Sequence, residues 1–541
     1  MSKGLKISLV ILSLVWLITQ LPAVFYGTQK LALHMSYIGD EQAPINGALK
    51  ILQERSLLGM RNAQTVYYGP IFSIIALPAV IADFSEKFLF SGVRSASDYR
   101  DHILWNWGGI VWKARLISVL FSFLSLLIVF KLFCTETFNP SSNKYLPLAV
   151  TVLLSTNFLF FEYGHFFRHW IFILFSIVGM LYSIVRLHES GERKYFYHSL
   201  FFTIFGFGIS YLSIIFMTLW LPLLFVWIKG RNYFQLKRFA VFLISLIAFA
   251  SLVVVWNPHP FFRIVGLTGG DIVDTDTTQH SLEKSPIGLS FSYYSRILLN
   301  NQLPLLIAIA LMTIYLCIKQ KIYRRFWFWT LILPGSLFFL LFGLMGHHES
   351  RYILPIMVLL VLYAGILASH SYSKEFHLNK HVSIIFITLI SSVFVFNIFI
   401  DGLLIKTWMQ SPKETELIRD LQKLQIEESD AKTLVVKHYL LGAAHTKEAY
   451  KAYTDMTNKS SLNLYKAIQE TDLPKDSIPL SIRYSIPDYF ILTKDLIDEY
   501  DHIIYYYEFD WHQRSEPDYF DLNALNLLLK NQLGDSYYFI K

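Results

Sequence analysis

Adjacent carboxylates, Asp40-Glu41, follow Gly39 shortly after the first long apolar run of the chain. Such a pair beside a membrane surface could supply a general base or a metal ligand. The same Asp40 could instead be the N-cap of a helix over 43–52, and a cap can also present its carboxylate to a site. Tyr67-Tyr68-Gly69-Pro70 opens a second apolar stretch. Tyrosines at a water–lipid boundary serve as anchors and can touch a substrate held there. A third group is Glu162-Tyr163-Gly164-His165 with Arg168-His169, crowded between two apolar runs. Ionisable groups at that depth are costly unless they are used or solvated. The fourth is Gly346-His347-His348-Glu349-Ser350-Arg351-Tyr352 at the junction of two later runs. Arg351 could clamp a phosphate through its planar guanidinium, with His347 or His348 assisting. The spacing is not His-Glu-x-x-His, and adjacent histidines on a helix diverge by about 100°, so the metal is left unassigned. A divalent metal stays an allowed cofactor and no other is required.

The elements that must position these residues are membrane helices. Of 541 residues, 54% are hydrophobic and 16% charged, against about 25% charged in an ordinary soluble protein. The apolar residues fall in uncharged runs of the roughly 20 residues that a span needs. About eleven such runs can be placed, beginning with an uncleaved anchor near 5–26, continuing through 114–133 and 146–162, and ending near 382–403. The stretch 69–90 is apolar too, but Pro70, Pro78, Asp83, Glu86 and Lys87 interrupt it; it reads as an interfacial helix.

Charge gives direction. With the N-terminus in the cytoplasm, the inner loops collect Lys3 and Lys6, Lys131 and Lys144, Arg193 and Lys194, Lys237 and Arg238, Arg324 and Arg325. The outer loop after 256 instead carries Asp271, Asp274, Asp276 and Glu283. This satisfies the positive-inside rule and accounts for the net charge of +7 without nucleic acid. The two cysteines, Cys134 and Cys317, make no disulfide framework. The domain division is therefore a transmembrane domain over 1–403, with a first outer loop at 27–113 and an outer lid loop at 257–302. A charged α/β domain follows over 404–541, in which 433–436, 489–492, 503–507 and 537–540 read as strands and 414–425 and 522–532 as helices.

Taken in order, these residues resemble the GT-C superfamily of polyprenyl-phosphate-sugar glycosyltransferases, in the branch of the protein O-mannosyltransferases and the lipid A aminoarabinose transferases. The resemblance covers about 1–400. It rests on Asp40-Glu41, on Tyr67-Tyr68-Gly69-Pro70, on Arg115-Leu116 at the head of the second span, and on Arg351-Tyr352-Ile353-Leu354-Pro355. The chain departs from the family in the second outer loop, where Arg-x-x-x-Asp is common. Here Glu162 precedes Arg168-His169-Trp170, so that either Glu162 or His169 stands in for the missing aspartate. The histidines before Arg351 also look like the His-Lys-Glu-x-Arg-Phe motif of dolichol-pathway mannosyltransferases.

The resemblance implies an inverting transfer at the outer face of a bacterial inner membrane. The donor is a polyprenyl-phosphate sugar and the acceptor a hydroxyl on a glycan, lipid or protein. It implies Asp40 as general base, Glu41 orienting the acceptor or bracing its loop, and Arg351, Tyr352, His347 and His348 around the donor phosphate. Two other readings are a transporter or flippase of lipid-linked glycans and a non-catalytic scaffold of the same fold. Few ionisable residues lie within the spans, and no inverted repeat is apparent, which counts against a transporter.

Overall fold

The computed structural model describes residues 3–26, 28, 35–57, 68–95, 98–99, 107–256, 287–344, 350–371 and 380–409, together with four strands beyond them. Chain in lipid must satisfy its own backbone groups, so uncharged runs become helices. The order is α1 Lys3–Phe25, α2 Met35–Glu54, α3 Pro70–Phe90, α4 Trp107–Leu132, α5 Leu146–Ser155, α6 Phe158–Tyr163, α7 His169–Ser190 and α8 Arg193–Ile209. A 3-10 helix over Tyr211–Trp220 then runs into α9 Leu221–Lys229, followed by α10 Tyr233–Trp256, α11 Ile287–Gln320 and α12 Phe326–Leu344. A 3-10 turn at Ser350–Ile353 leads into α13 Leu354–Ser371, and α14 Lys380–Met409 ends the series.

The protein is thus a polytopic helical membrane protein. Among the described residues, nine helices are long enough and apolar enough to cross a membrane. All eleven expected runs are helical, and two of them are short. The run 146–162 is divided at Asn157, whose extended backbone (ψ 121°) ends one helix while its side chain caps the next. α5 thus has 10 residues, short of the roughly 20 that a span needs, and α6 is a separate helix of six. Helix α8 has 17 residues. The expected interfacial helix is α3, and it is not among the nine.

Two helices form the centre: 83% of the most apolar window of α7 is buried, and the same share of the helix that includes α13. Against that, only 17% of the window is buried in α10 and α14. Their outward residues are Ile244, Ile247, Leu252, Val395 and Phe399, apolar side chains facing where lipid would be. α4 packs on α1, α3 and α7, while α14 packs on α1, α6 and α11. At the tail of α7, Gly191 takes a left-handed conformation (φ +66°) and its N–H bonds Leu187 O, stopping the helix before α8 begins.

Beyond α14 the described elements are β1 Thr433–His438, β2 His502–Tyr507, β3 Leu528–Leu533 and β4 Ser536–Ile540. β1 pairs in parallel with β2, and β3 antiparallel with β4. The strands expected at 433–436, 503–507 and 537–540 coincide with β1, β2 and β4. β3 occupies the end of the stretch 522–532 that reads as helical: pairing with β4 overrides the local helical pattern there. The expected strand at 489–492 and helix at 414–425 lie outside the described residues.

Candidate active site

Three separate parts of the chain meet at one end of the bundle, and a buried ion pair makes the first junction. Arg115, two turns into α4, donates from Nε to Glu41 Oε1 at 3.0 Å and from Nη2 to Oε2 at 2.8 Å. Both side chains are 0% exposed. The remaining Nη1 donates to Tyr26 O at 2.5 Å and Ala23 O at 3.2 Å, satisfying carbonyls that the end of α1 leaves open. Glu41 Oε1 also accepts the Phe167 backbone N–H at 2.7 Å. One carboxylate thus ties α2 to α4 and to the second loop. A bidentate, fully satisfied pair of this kind can stay charged in a dry interior.

Asp40 precedes Glu41 within α2. Because that helix begins at Met35, Asp40 lies inside its second turn and is not an N-cap; the helical run starts earlier than the apolar periodicity over 43–52 suggests.

The second loop is α6 and the residues up to α7. Asn157 Oδ1 accepts from Phe160 N at 3.3 Å, starting a helix too short to hold itself. Packing against α13 and α14 holds it. Glu162 on this helix is half-buried, and the surrounding protein pushes its carboxyl up to about 7. Gly164 passes where a Cβ would lie 3.0 Å from the Trp16 ring, and its carbonyl accepts from Ser122 Oγ at 3.1 Å. His165 is 0% exposed, and neither ring nitrogen has a hydrogen-bond partner among the described residues. Burial, with Arg115 nearby, holds it well below the ordinary imidazole value, so it is neutral. Its ring lies edge-on to Trp408 at 4.7 Å. Arg168 covers the Phe166 ring at 5.6 Å and occupies the N-cap position of α7.

Tyr68 is brought to this loop as well: its ring centroid is 4.8 Å from that of His169. That contact depends on close backbone approach. Gly69 N–H donates to Ile209 O at 2.8 Å, and a Cβ on Gly69 would collide with the Gly208 carbonyl. Further along α3, Asp83 accepts from Lys113 Nζ at 2.6 Å and from Tyr99 Oη at 3.0 Å. Lys113 also pairs with Glu86 at 2.7 Å. The charges that interrupt this apolar run therefore bind it to α4.

The late motif joins through its 3-10 turn. Tyr163 Oη and Ser350 Oγ are 2.9 Å apart in a hydrogen bond. Tyr352 packs edge-to-face on Trp170 at 5.1 Å and stacks on Phe342 at 4.8 Å. Arg351 lies between these two held residues, its guanidinium carbon 5.7 Å from the Tyr352 ring centroid. These contacts link Glu41, Tyr68, the stretch carrying Glu162, His165, Arg168 and His169, and the turn carrying Arg351 and Tyr352. Tyr67, His347, His348 and Glu349 lie outside the described residues. Among the described residues, no three of His, Cys, Asp and Glu gather as a metal site would require.

Reading the sequence misses the partner of Glu41 and the role of Tyr163 and Trp170. The first had a signal: an arginine two turns inside an apolar helix requires a carboxylate. For Tyr163 and Trp170 no spacing betrays a contact with residues so far along the chain.

No protein-family model matches the chain, and no curated protein matches it. Among solved structures, the crystal structure of ArnT from Cupriavidus metallidurans in the apo state is similar, with a TM-score of 0.50 at 12% sequence identity. The match covers 98% of this chain and 97% of that one. ArnT is the lipid A aminoarabinose transferase, a GT-C enzyme; the chain shares that fold.

Proposed function

We propose that this GT-C-fold membrane protein is an inverting glycosyltransferase, moving a sugar from a polyprenyl phosphate to an acceptor hydroxyl at the outer face. The observation that carries this reading is the convergence of the Asp40-Glu41 helix, the second loop and the Arg351 turn at one end of the bundle. Glu41 Oε1 receives Phe167 N–H, and Tyr163 meets Ser350. With the N-terminus inside and residues 404–541 outside, that end faces the compartment without nucleotide sugars, which explains a lipid-linked donor.

In this mechanism Asp40 takes the proton of the acceptor hydroxyl as its oxygen attacks the anomeric carbon. The bond from that carbon to the phosphate oxygen breaks with inversion, and prenyl phosphate leaves. Arg351 offsets the charge gathering on that phosphate, helped by Tyr352 and by His347 and His348. In a partly dry site such a cation counts for more than in water. Glu41 braces the helix carrying Asp40. The half-buried Glu162 is the second acidic residue of the site, and His165, Arg168 and His169 line the same loop. Tyr67 and Tyr68 contact the substrate at the membrane surface. Of the expected outer lid loop 257–302, residues 287–302 form the start of α11, and the rest lies outside the described residues.

The test is donor choice. Membranes containing the protein, supplied with radiolabelled polyprenyl-phosphate sugars, transfer label to an acceptor fraction, while membranes lacking it do not. Labelled nucleotide sugars give no transfer when synthesis of lipid-linked sugar is blocked. Transfer directly from a nucleotide sugar, or none from any prenyl phosphate donor, contradicts the proposal.

A further inference from the structure

The late turn that carries Arg351 is gripped on both sides of the arginine, by Tyr163 of the second loop and by Trp170 of α7. Ser350–Ile353 is a four-residue 3-10 turn that runs directly into α13, which anchors its far end at the buried Ile353; its near end, with the arginine, takes further partners. Before the arginine, Ser350 Oγ shares a hydrogen bond with Tyr163 Oη at 2.9 Å. After it, Tyr352 meets the edge of Trp170 at 5.1 Å. Both holding residues are themselves held. Tyr163 ends the helix that Asn157 caps and is 7% exposed; Trp170 is 0% exposed and packs on Phe338 and Phe342. Arginine loses much rotamer freedom when it binds a ligand, and a preset backbone lowers that cost.

We infer that Tyr163 and Trp170 are positioning residues for Arg351, setting the turn from which its guanidinium meets the leaving phosphate. The inference rests on the assignment of Arg351 to that phosphate. It also gives the second loop a concrete role, because α6 presents Glu162 and, through the next residue, Tyr163, fixes the arginine turn. An acid and a cation on distant parts of the chain are thereby held in one arrangement.

The experiment measures binding of undecaprenyl phosphate to the purified full-length protein and to Tyr163→Phe, Ser350→Ala, the double variant, Trp170→Phe and Arg351→Ala. Thermal melting is followed alongside, so that binding is read per folded molecule. Tyr163→Phe and Ser350→Ala should each weaken binding about two- to tenfold, as expected for one neutral hydrogen bond. The double variant should be no worse than either single change, because both remove one interaction. Trp170→Phe should weaken binding similarly, and the donor KM should rise more than kcat falls in all three. Arg351→Ala should lose at least as much binding as the double variant. Unchanged binding in folded Tyr163→Phe and Ser350→Ala, or strictly additive losses, overturns the inference while Arg351→Ala still binds poorly. Binding absent from the wild type, or indifferent to Arg351→Ala, overturns the phosphate assignment itself.

Discussion

Both oxygens of Glu41 are committed, to the guanidinium of Arg115 and to the Phe167 N–H. Glu41→Gln leaves the buried Arg115 cation without its counter-charge, and breaking a buried pair by removing one partner costs about 3–5 kcal/mol. The purified variant should melt well below the wild type in detergent; an unchanged melting temperature would mean that the pair does not hold α2. Arg115→Lys alone should also lower the melting temperature, since an ammonium cannot make the bidentate contact to Glu41. Glu162 behaves in the opposite sense. Its carboxyl is raised from 4.5 to about 7 by burial, so the folded chain keeps a proton that the unfolded chain has given up. Stability then falls as pH rises from near the ordinary carboxylate value through about 7, and is level above. Glu162→Gln should abolish that slope, which melting curves across the same pH window would reveal. These two acids look alike in the sequence. The difference between them is made by tertiary neighbours: Arg115 lies 74 positions from Glu41, and no pattern of spacing pairs them.

Helix α3 shows how an element places a site residue. Its start is fixed where Gly69 N–H reaches Ile209 O, with no room for a side chain against Gly208. Its middle is fixed where Asp83 and Glu86 take Lys113. Gly69→Ala should push α3 from α8, at about 1–3 kcal/mol for overpacking. The contact of Tyr68 with His169 should loosen with it. The readout is a lowered melting temperature together with a raised KM for the donor; a variant indistinguishable from wild type in both would show that this approach is not needed. The helix itself was legible, since Pro70 at its first turn and the apolar run up to Phe90 mark it. Its reason was legible only in part. Asp83, Glu86 and Lys87 read as interruptions of a span, whereas Asp83 and Glu86 are the groups that attach the helix to α4. The division of 146–162 was not legible, because Asn157 as a cap differs little in sequence from any polar residue near a helix end.

For the whole molecule, apolar runs and loop charge carry most of the information. Residues buried in lipid or protein must be apolar over whole helices, so the count and order of helices follow from hydropathy. Glu41, Arg351 and the second loop are legible as candidates because charged groups at such depth are expensive. Their meeting at one end is not, since it depends on how α4, α7, α13 and α14 pack, and packed helices leave no periodic signature of their partners. The strands β1, β2 and β4 were legible from short β-branched and aromatic runs, while β3 follows from pairing with β4. In the proposed reaction Asp40 is the group that takes the first proton. The most direct measurement is transfer from a radiolabelled polyprenyl-phosphate sugar by purified wild type and by Asp40→Asn, with both melting at the same temperature. The account predicts transfer by the wild type and a loss of at least about a hundredfold in the variant, the lower range for a missing general base; equal transfer by the two folded proteins would contradict it.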